Sequence, residues 1–343
     1  MAPWENLAGD ATNPIAKKCR RHAGELAVLC SKLVFKDARW TLATSVTLAV
    51  LSFNVLANED NLNPEQVLRG AYLLRAAGCV ACHTDYEHGG TLLAGGRGLK
   101  TPFGTFYTPN ITADPKYGIG NWNKHDFITA MTRGVSPDGT HYYPVFPYTA
   151  YSGITADDLS DLWAYLRTVP LSRAPNRKHD VKFPFSIRLT NWAWKLMFFR
   201  PKAHRTEPTR SPEWNRGSYL VTTLGHCSEC HTPRNLLGAT KSKYAYAGTK
   251  QGPDGEKVPN ITPDQKTGIG DWSQSDITWL LQTGFLPDGD VVGSLMADVV
   301  EHSTSHLTVD DQLAIAIYLQ SLMPVRNPLK TNRGDEERDT DNW

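Results

Sequence analysis

Cysteine and histidine come together twice in this chain, as Cys79-Val80-Ala81-Cys82-His83 and as Cys227-Ser228-Glu229-Cys230-His231. Two thiols at this spacing can each add across one vinyl group of a porphyrin and so fix the ring covalently. An imidazole on the following residue can then meet the iron. Zinc and dithiol chemistry are the alternatives. Structural zinc gathers paired Cys-x-x-Cys elements about 15–20 residues apart, whereas these pairs are 148 residues apart and each has its own histidine. A thioredoxin-like dithiol belongs to a βαβ pattern, which is absent here. The expectation is two covalently bound haem c groups, attached at Cys79, Cys82, Cys227 and Cys230, with His83 and His231 as proximal iron ligands.

Such motifs need elements to hold them, and the surroundings of the two copies match. Asn63-Pro64 reads as a helix start, asparagine capping and proline in the first turn, and Ser211-Pro212 repeats it. Arg69-Gly70-Ala71-Tyr72-Leu73 precedes the first motif and Arg216-Gly217-Ser218-Tyr219-Leu220 the second. The recurring glycine suits a close helix–helix approach. Downstream, Pro109-Asn110-Ile111-Thr112 pairs with Pro259-Asn260-Ile261-Thr262, Gly118-Ile119-Gly120 with Gly268-Ile269-Gly270, and Pro137-Asp138-Gly139 with Pro287-Asp288-Gly289, all at an offset of 150. Each copy closes with a helix, from Thr155 and from Thr308, opening on a capping-box-like pair with Asp158 and Asp311. Leu159, Leu162, Trp163 and Leu166 form one apolar stripe, and Leu313, Ile317 and Leu319 contribute to the other. No extended strand system is expected. The fold class is mainly α, helix and loop wrapped on a haem.

The chain has 343 residues, 40% hydrophobic and 21% charged, with a net charge of +1. That length suits more than one domain, and that charge gives no case for nucleic acid. Four of six cysteines belong to the motifs, leaving Cys19 and Cys30, so no disulfide framework is implied. Residues 1–39 are basic and an apolar run follows from Trp40 to Ala57, the pattern of a cleaved signal peptide or an N-terminal membrane anchor over 1–57. A start near Val34 would give a signal peptide of ordinary length. Haem c attachment and this leader together predict a periplasmic protein associated with the inner membrane.

Residues 62–324 resemble the dihaem cytochrome c subunits of periplasmic, membrane-associated dehydrogenases, such as the quinoprotein alcohol dehydrogenases. The Cys-His-Thr, Pro-Asn-Ile-Thr, Gly-Ile-Gly-x-Trp and Pro-Asp-Gly elements carry the resemblance. It implies two tandem class I cytochrome c domains, over 62–169 and 211–324. It also implies electron transfer from a dehydrogenase catalytic subunit to the quinone pool or a terminal oxidase. The linker, 170–210, is basic and aromatic, with Phe183, Trp192, Trp194 and Phe198 among Arg173, Arg188, Lys195 and Arg200. It reads either as a strap that buries its aromatics on a haem domain or as a surface for a membrane or partner. Residues 325–343 are a charged tail, expected to be disordered.

The copies differ at the sixth iron ligand. Met296 is the expected distal ligand in the second, placed in a loop before the final helix; a thioether there raises the reduction potential. At the offset of 150 its counterpart is Phe146. The final helices align at 153, so a three-residue gap falls in this loop. For the first haem the available donors are His141, Tyr143 and Met131, and an open position is the remaining option. That asymmetry is what favours the rival class, a haem enzyme such as a dihaem peroxidase or a thiosulfate dehydrogenase. A free dihaem electron shuttle is the third reading.

Overall fold

The computed structural model describes residues 62–328. The expected leader over 1–57, Cys19, Cys30 and the charged tail beyond 328 lie outside them. The first repeat contains α1 (Pro64–Ala76), α2 (Cys79–His83), β1 (Gly98–Thr101), β2 (Gly104–Tyr107), α3 (Lys124–Arg133), α4 (Tyr148–Tyr151) and α5 (Ala156–Leu166). Next come β3 (Asp180–Val181) and α6 (Leu189–Phe198). The second repeat contains α7 (Pro212–Tyr219), α8 (Ser228–His231), α9 (Gln274–Thr283), α10 (Ser294–His302) and α11 (Val309–Gln320). Among the described residues, no helix is long and apolar enough to cross a membrane.

Local signals set the helix ends. Asn63 Oδ1 accepts the Glu65 amide at 3.0 Å, and Ser211 Oγ accepts that of Trp214 at 3.2 Å. α3 and α9 open on full capping boxes, Asn123 with Asp126 and Ser273 with Asp276, and stop at left-handed Gly134 and Gly284. The recurring glycines let each opening helix cross its closing helix in contact. A Cβ on Gly70 would lie 2.0 Å from the Asp161 carbonyl oxygen, and one on Gly217 would lie 1.9 Å from that of Ala314. Between glycine and haem motif the second copy has one extra residue: Gly70 and Gly217 are 147 apart, Cys79 and Cys227 are 148 apart. The chain absorbs it as a π-helical turn at Leu220–Leu224, which takes up an inserted residue without ending the helix.

One hydrophobic cluster runs through both repeats, including Leu74, Val80 and Leu162 of the first and Leu220, Leu224 and Ile315 of the second. Burying each such side chain contributes about 1.5–3 kcal/mol. The α5 stripe is buried as expected at Leu159, Leu162 and Leu166. On α11 the stripe is rotated: Leu313 is exposed and Ile317 half-buried, while Ala314, Ile315, Tyr318 and Leu319 face inward. A three-stranded antiparallel sheet, ordered β1-β2-β3, also forms, with Leu99 opposite Phe106 and Thr105 opposite Asp180. Its strands of four, four and two residues are too short to show alternation in sequence.

Candidate functional site

The two Cys-x-x-Cys-His segments have matching frames. His83 Nδ1 donates to the Pro109 carbonyl at 2.8 Å, and His231 Nδ1 to the Pro259 carbonyl at 2.8 Å. A neutral imidazole that donates through Nδ1 has its lone pair on Nε2, the state a metal ligand needs. Burial lowers the pKa of both rings, against the opposing effect of the proline carbonyls, and so favours that neutral form. The backbone is pinned as well: the His83 carbonyl accepts from Gly95 N at 2.8 Å and the His231 carbonyl from Gly248 N at 2.7 Å. Both glycines have positive φ and lie against the same prolines, where a Cβ would come within 2.4 and 2.6 Å of the proline carbonyl carbon.

This geometry explains the Pro-Asn-Ile-Thr repeat, to which the sequence reading attached no role. Proline supplies the carbonyl that orients the histidine. Asn110 Oδ1 accepts from Thr112 N and Oγ1 at 2.9 and 2.7 Å, and Asn260 does the same for Thr262 at 2.9 and 2.7 Å. The asparagine amide then donates to the segment after the closing helix, to Ser172 O at 2.7 Å in one copy and Val325 O at 2.8 Å in the other. The histidine is thereby tied to both ends of its repeat. Its signal in sequence was the repetition itself.

None of the four motif cysteines is paired in a disulfide. Burial pushes Cys79 and Cys230 up to about 12 and Cys227 up to about 11. A redox dithiol needs the opposite shift, toward thiolate. Among the described residues, no three His, Cys, Asp or Glu side chains converge as a tetrahedral zinc set would. A pair of half-buried thiols beside an imidazole with Nε2 free fits haem c, so Cys79, Cys82 and His83, with Cys227, Cys230 and His231, are the residues that would hold it.

The motifs also meet each other. His226, which precedes Cys227, is half-buried with φ of 39°, and its Nε2 lies 3.8 Å from where a Cβ on Gly78 would be. Gly78 precedes Cys79, so the equivalent positions of the two copies are in contact. Tyr151 braces this junction: its hydroxyl donates to Ala77 O at 2.6 Å and its ring lies 5.3 Å from that of His226.

On the distal side, Met296 lies on α10 and not in a loop. The offset of 150 holds as far as Tyr142 and Val292, whose amides donate to Gly134 O and Gly284 O at 2.9 and 2.8 Å. Beyond it, the nine-residue α10 replaces the four-residue α4, which locates the three-residue gap. Met296 is half-buried against the shared cluster, and Phe146 packs there in the first repeat. The three donors for the first repeat are separated by the fold. His141 Nδ1 accepts from Lys195 Nζ at 3.0 Å, which leaves its proton on Nε2. Tyr143 faces the linker, its ring 5.0 Å from Phe106 and 5.6 Å from His179, with the Arg188 guanidinium 4.5 Å above it. Met131 alone of the three joins the cluster that contains Leu74, Val80 and Tyr151.

The family model for cytochrome c matches residues 67–170. The chain is 45% identical over 257 residues, 74% of its length, to a diheme cytochrome c-type protein of Cereibacter sphaeroides, and covers 84% of that protein. It therefore belongs to the cytochrome c family and binds haem c. It is also 39% identical over 289 residues to the fructose dehydrogenase cytochrome subunit of Gluconobacter japonicus, aligning 82% of this chain with 59% of that subunit. To the gluconate 2-dehydrogenase cytochrome c subunit of Pantoea cypripedii it is 39% identical over 287 residues, 81% of this chain and 64% of that subunit. The chain thus spans about three-fifths of the length of these dehydrogenase subunits.

Proposed function

We propose that this chain is a dihaem electron carrier that takes electrons from a dehydrogenase and passes them to the respiratory chain, at quinone or a terminal oxidase. The observation that carries the reading is the doubled frame: two Cys-x-x-Cys-His segments, each with its histidine held through Nδ1 by a proline carbonyl. In this reading residues 62–169 and 211–324 are tandem class I cytochrome c domains, with one haem c on Cys79 and Cys82 and one on Cys227 and Cys230. Each haem supplies a one-electron ferric–ferrous couple. Electrons enter and leave one molecule through two sites whose attachment segments touch at Gly78 and His226, a short path between them.

Met296 is the distal donor of the second site. Met131 is the donor of the first, because its thioether is buried in the shared cluster while His141 and Tyr143 are engaged by the linker. Thioether ligation of both irons suits a carrier and disfavours the peroxidase alternative, which needs an open position. A periplasmic location at the inner membrane belongs to this reading, supported by the basic and then apolar pattern of residues 1–57 and by haem c attachment.

Holoprotein purified from its native membranes tests this. A co-purifying dehydrogenase supplied with its substrate should reduce both haems, and quinone should reoxidise them. Peroxide turnover by the isolated chain, with no dehydrogenase able to reduce it, would overturn the carrier reading.

A further inference from the structure

The linker helix α6 is inside out. Its inward face has Asn191 and Lys195, both buried, whereas Leu189, Trp192, Leu196 and Met197 are 70, 47, 55 and 57% exposed. Positions 189, 192 and 196 follow helical spacing of three and four, so these side chains form one stripe. The polar face is fastened to the body. Asn191 Nδ2 donates to His141 O at 3.2 Å, and Lys195 Nζ donates to Arg133 O at 2.8 Å and to Gly134 O, carbonyls at the end of α3. The apolar face is thereby held outward by specific bonds. Phe183 and Ile187 extend it on one side and Leu236 and Leu237 on the other, where Trp194 Nε1 donates to Leu237 O at 2.9 Å.

Charge surrounds this surface with one sign. Between residues 170 and 206 there are nine lysines and arginines against one carboxylate, Asp180. No ion pair among the described residues engages Lys182, Arg188, Arg200 or Lys202. Beside Tyr143, an open cleft is lined by Arg177, Lys178 and Arg188 and by no carboxylate. An aliphatic and tryptophan stripe rimmed by unpaired cations is the composition of a helix lying in a lipid headgroup region. Ten residues of helix, roughly 15 Å, are too short to span a bilayer and suit its surface. A protein interface core would instead be depleted in lysine.

We propose that this face rests on an anionic phospholipid bilayer, with α6 parallel to the surface, Leu189, Trp192, Leu196 and Met197 at the acyl boundary, and Lys182, Arg188 and Arg200 on the phosphates. The proposal builds on the membrane-associated reading above and is independent of residues 1–57.

Hydrogen exchange of the full-length holoprotein, read at the peptide spanning 183–200, tests it with phosphatidylglycerol vesicles and with phosphatidylcholine vesicles. The expected result is slower exchange of this peptide with phosphatidylglycerol alone. Leu196→Glu with Met197→Glu should abolish that protection, while the haem absorption spectrum and thermal midpoint stay unchanged because both side chains face solvent. Arg188→Gln should lower the apparent affinity for protection about fivefold, the loss expected for one interfacial cation. A chain that floats with vesicles while 183–200 exchanges as in solution would overturn the proposal and leave membrane association standing. A chain that does not float would overturn both. Equal protection by phosphatidylcholine, or protection only by a purified dehydrogenase, would also overturn it.

Discussion

The Tyr72 hydroxyl donates to Asp311 Oδ2 at 2.5 Å and accepts the Thr308 amide at 3.2 Å, closing the cap of a helix in the other repeat. Tyr219 does the same in return, donating to Asp158 at 2.5 Å and accepting from Thr155 at 3.2 Å. Each closing helix is thus capped partly by a tyrosine from the opposite copy. Tyr72→Phe and Tyr219→Phe each remove one bond to a cap N–H and one to a carboxylate, although Asp311 Oδ2 keeps its bond from Arg216, and each should cost about 1–2 kcal/mol, read as a lower denaturant midpoint. The two effects should depart from additivity, because Arg216 bonds Asp311 and lies 6.0 Å over the Tyr219 ring.

Asp311 links this bond to pH. Burial alone would raise its pKa, but bonds from Arg216 and Tyr72 outweigh burial and hold it below the usual carboxylate range. A depressed folded-state pKa means stability that is present above the unfolded value of 3.8 and lost as pH falls through the folded value. Acid titration of the thermal midpoint should therefore show a loss below about pH 4 that is smaller in Asp311→Asn, a variant already weaker at neutral pH. An identical acid limb in both proteins would remove Asp311 from the account.

Gly217→Ala tests the helix crossing. With 1.9 Å between the new Cβ and the Ala314 carbonyl oxygen, α7 must move off α11, at a cost of about 3 kcal/mol or more. Gly139→Ala is the comparison. Nothing lies within 4 Å of its Cβ, so any cost there comes from its φ of 81° alone. Equal midpoints for Gly217→Ala and the parent would contradict the close crossing.

The distal ligands are open to spectroscopy. The ferric holoprotein should show sulfur-to-iron charge transfer from two methionine-ligated sites. Met296→Ala should remove one contribution, Met131→Ala the other, and each should lower the reduction potential of its own haem. Loss of a low-spin site in His141→Ala or Tyr143→Ala, with Met131→Ala silent, would reassign the first donor.

The chemistry was legible in sequence because covalent attachment demands fixed residues at fixed spacing, and because Asn63, Ser211, Thr155 and Thr308 are local caps. Long-range partners were not. Asp158 and Asp311 read as reaching back to their own N-caps, and a tyrosine 61 or 239 residues away takes that place. The Pro109 and Pro259 carbonyls are backbone atoms and leave a trace only as repetition. Met296 reads as part of a loop before the final helix, yet helix α10 starts at Ser294 and includes it. The linker reads as a strap or as a surface, since composition does not reveal which side of a helix faces inward. Phe199 is buried and Trp192 exposed, so one segment has both properties.

The mass of the purified, denatured holoprotein tests the central claim most directly. The account predicts the polypeptide plus two covalently attached haems, falling to one haem in Cys79→Ala/Cys82→Ala and to one in Cys227→Ala/Cys230→Ala. A parent protein that retains one haem or none after denaturation, while correctly exported and matured, would contradict it.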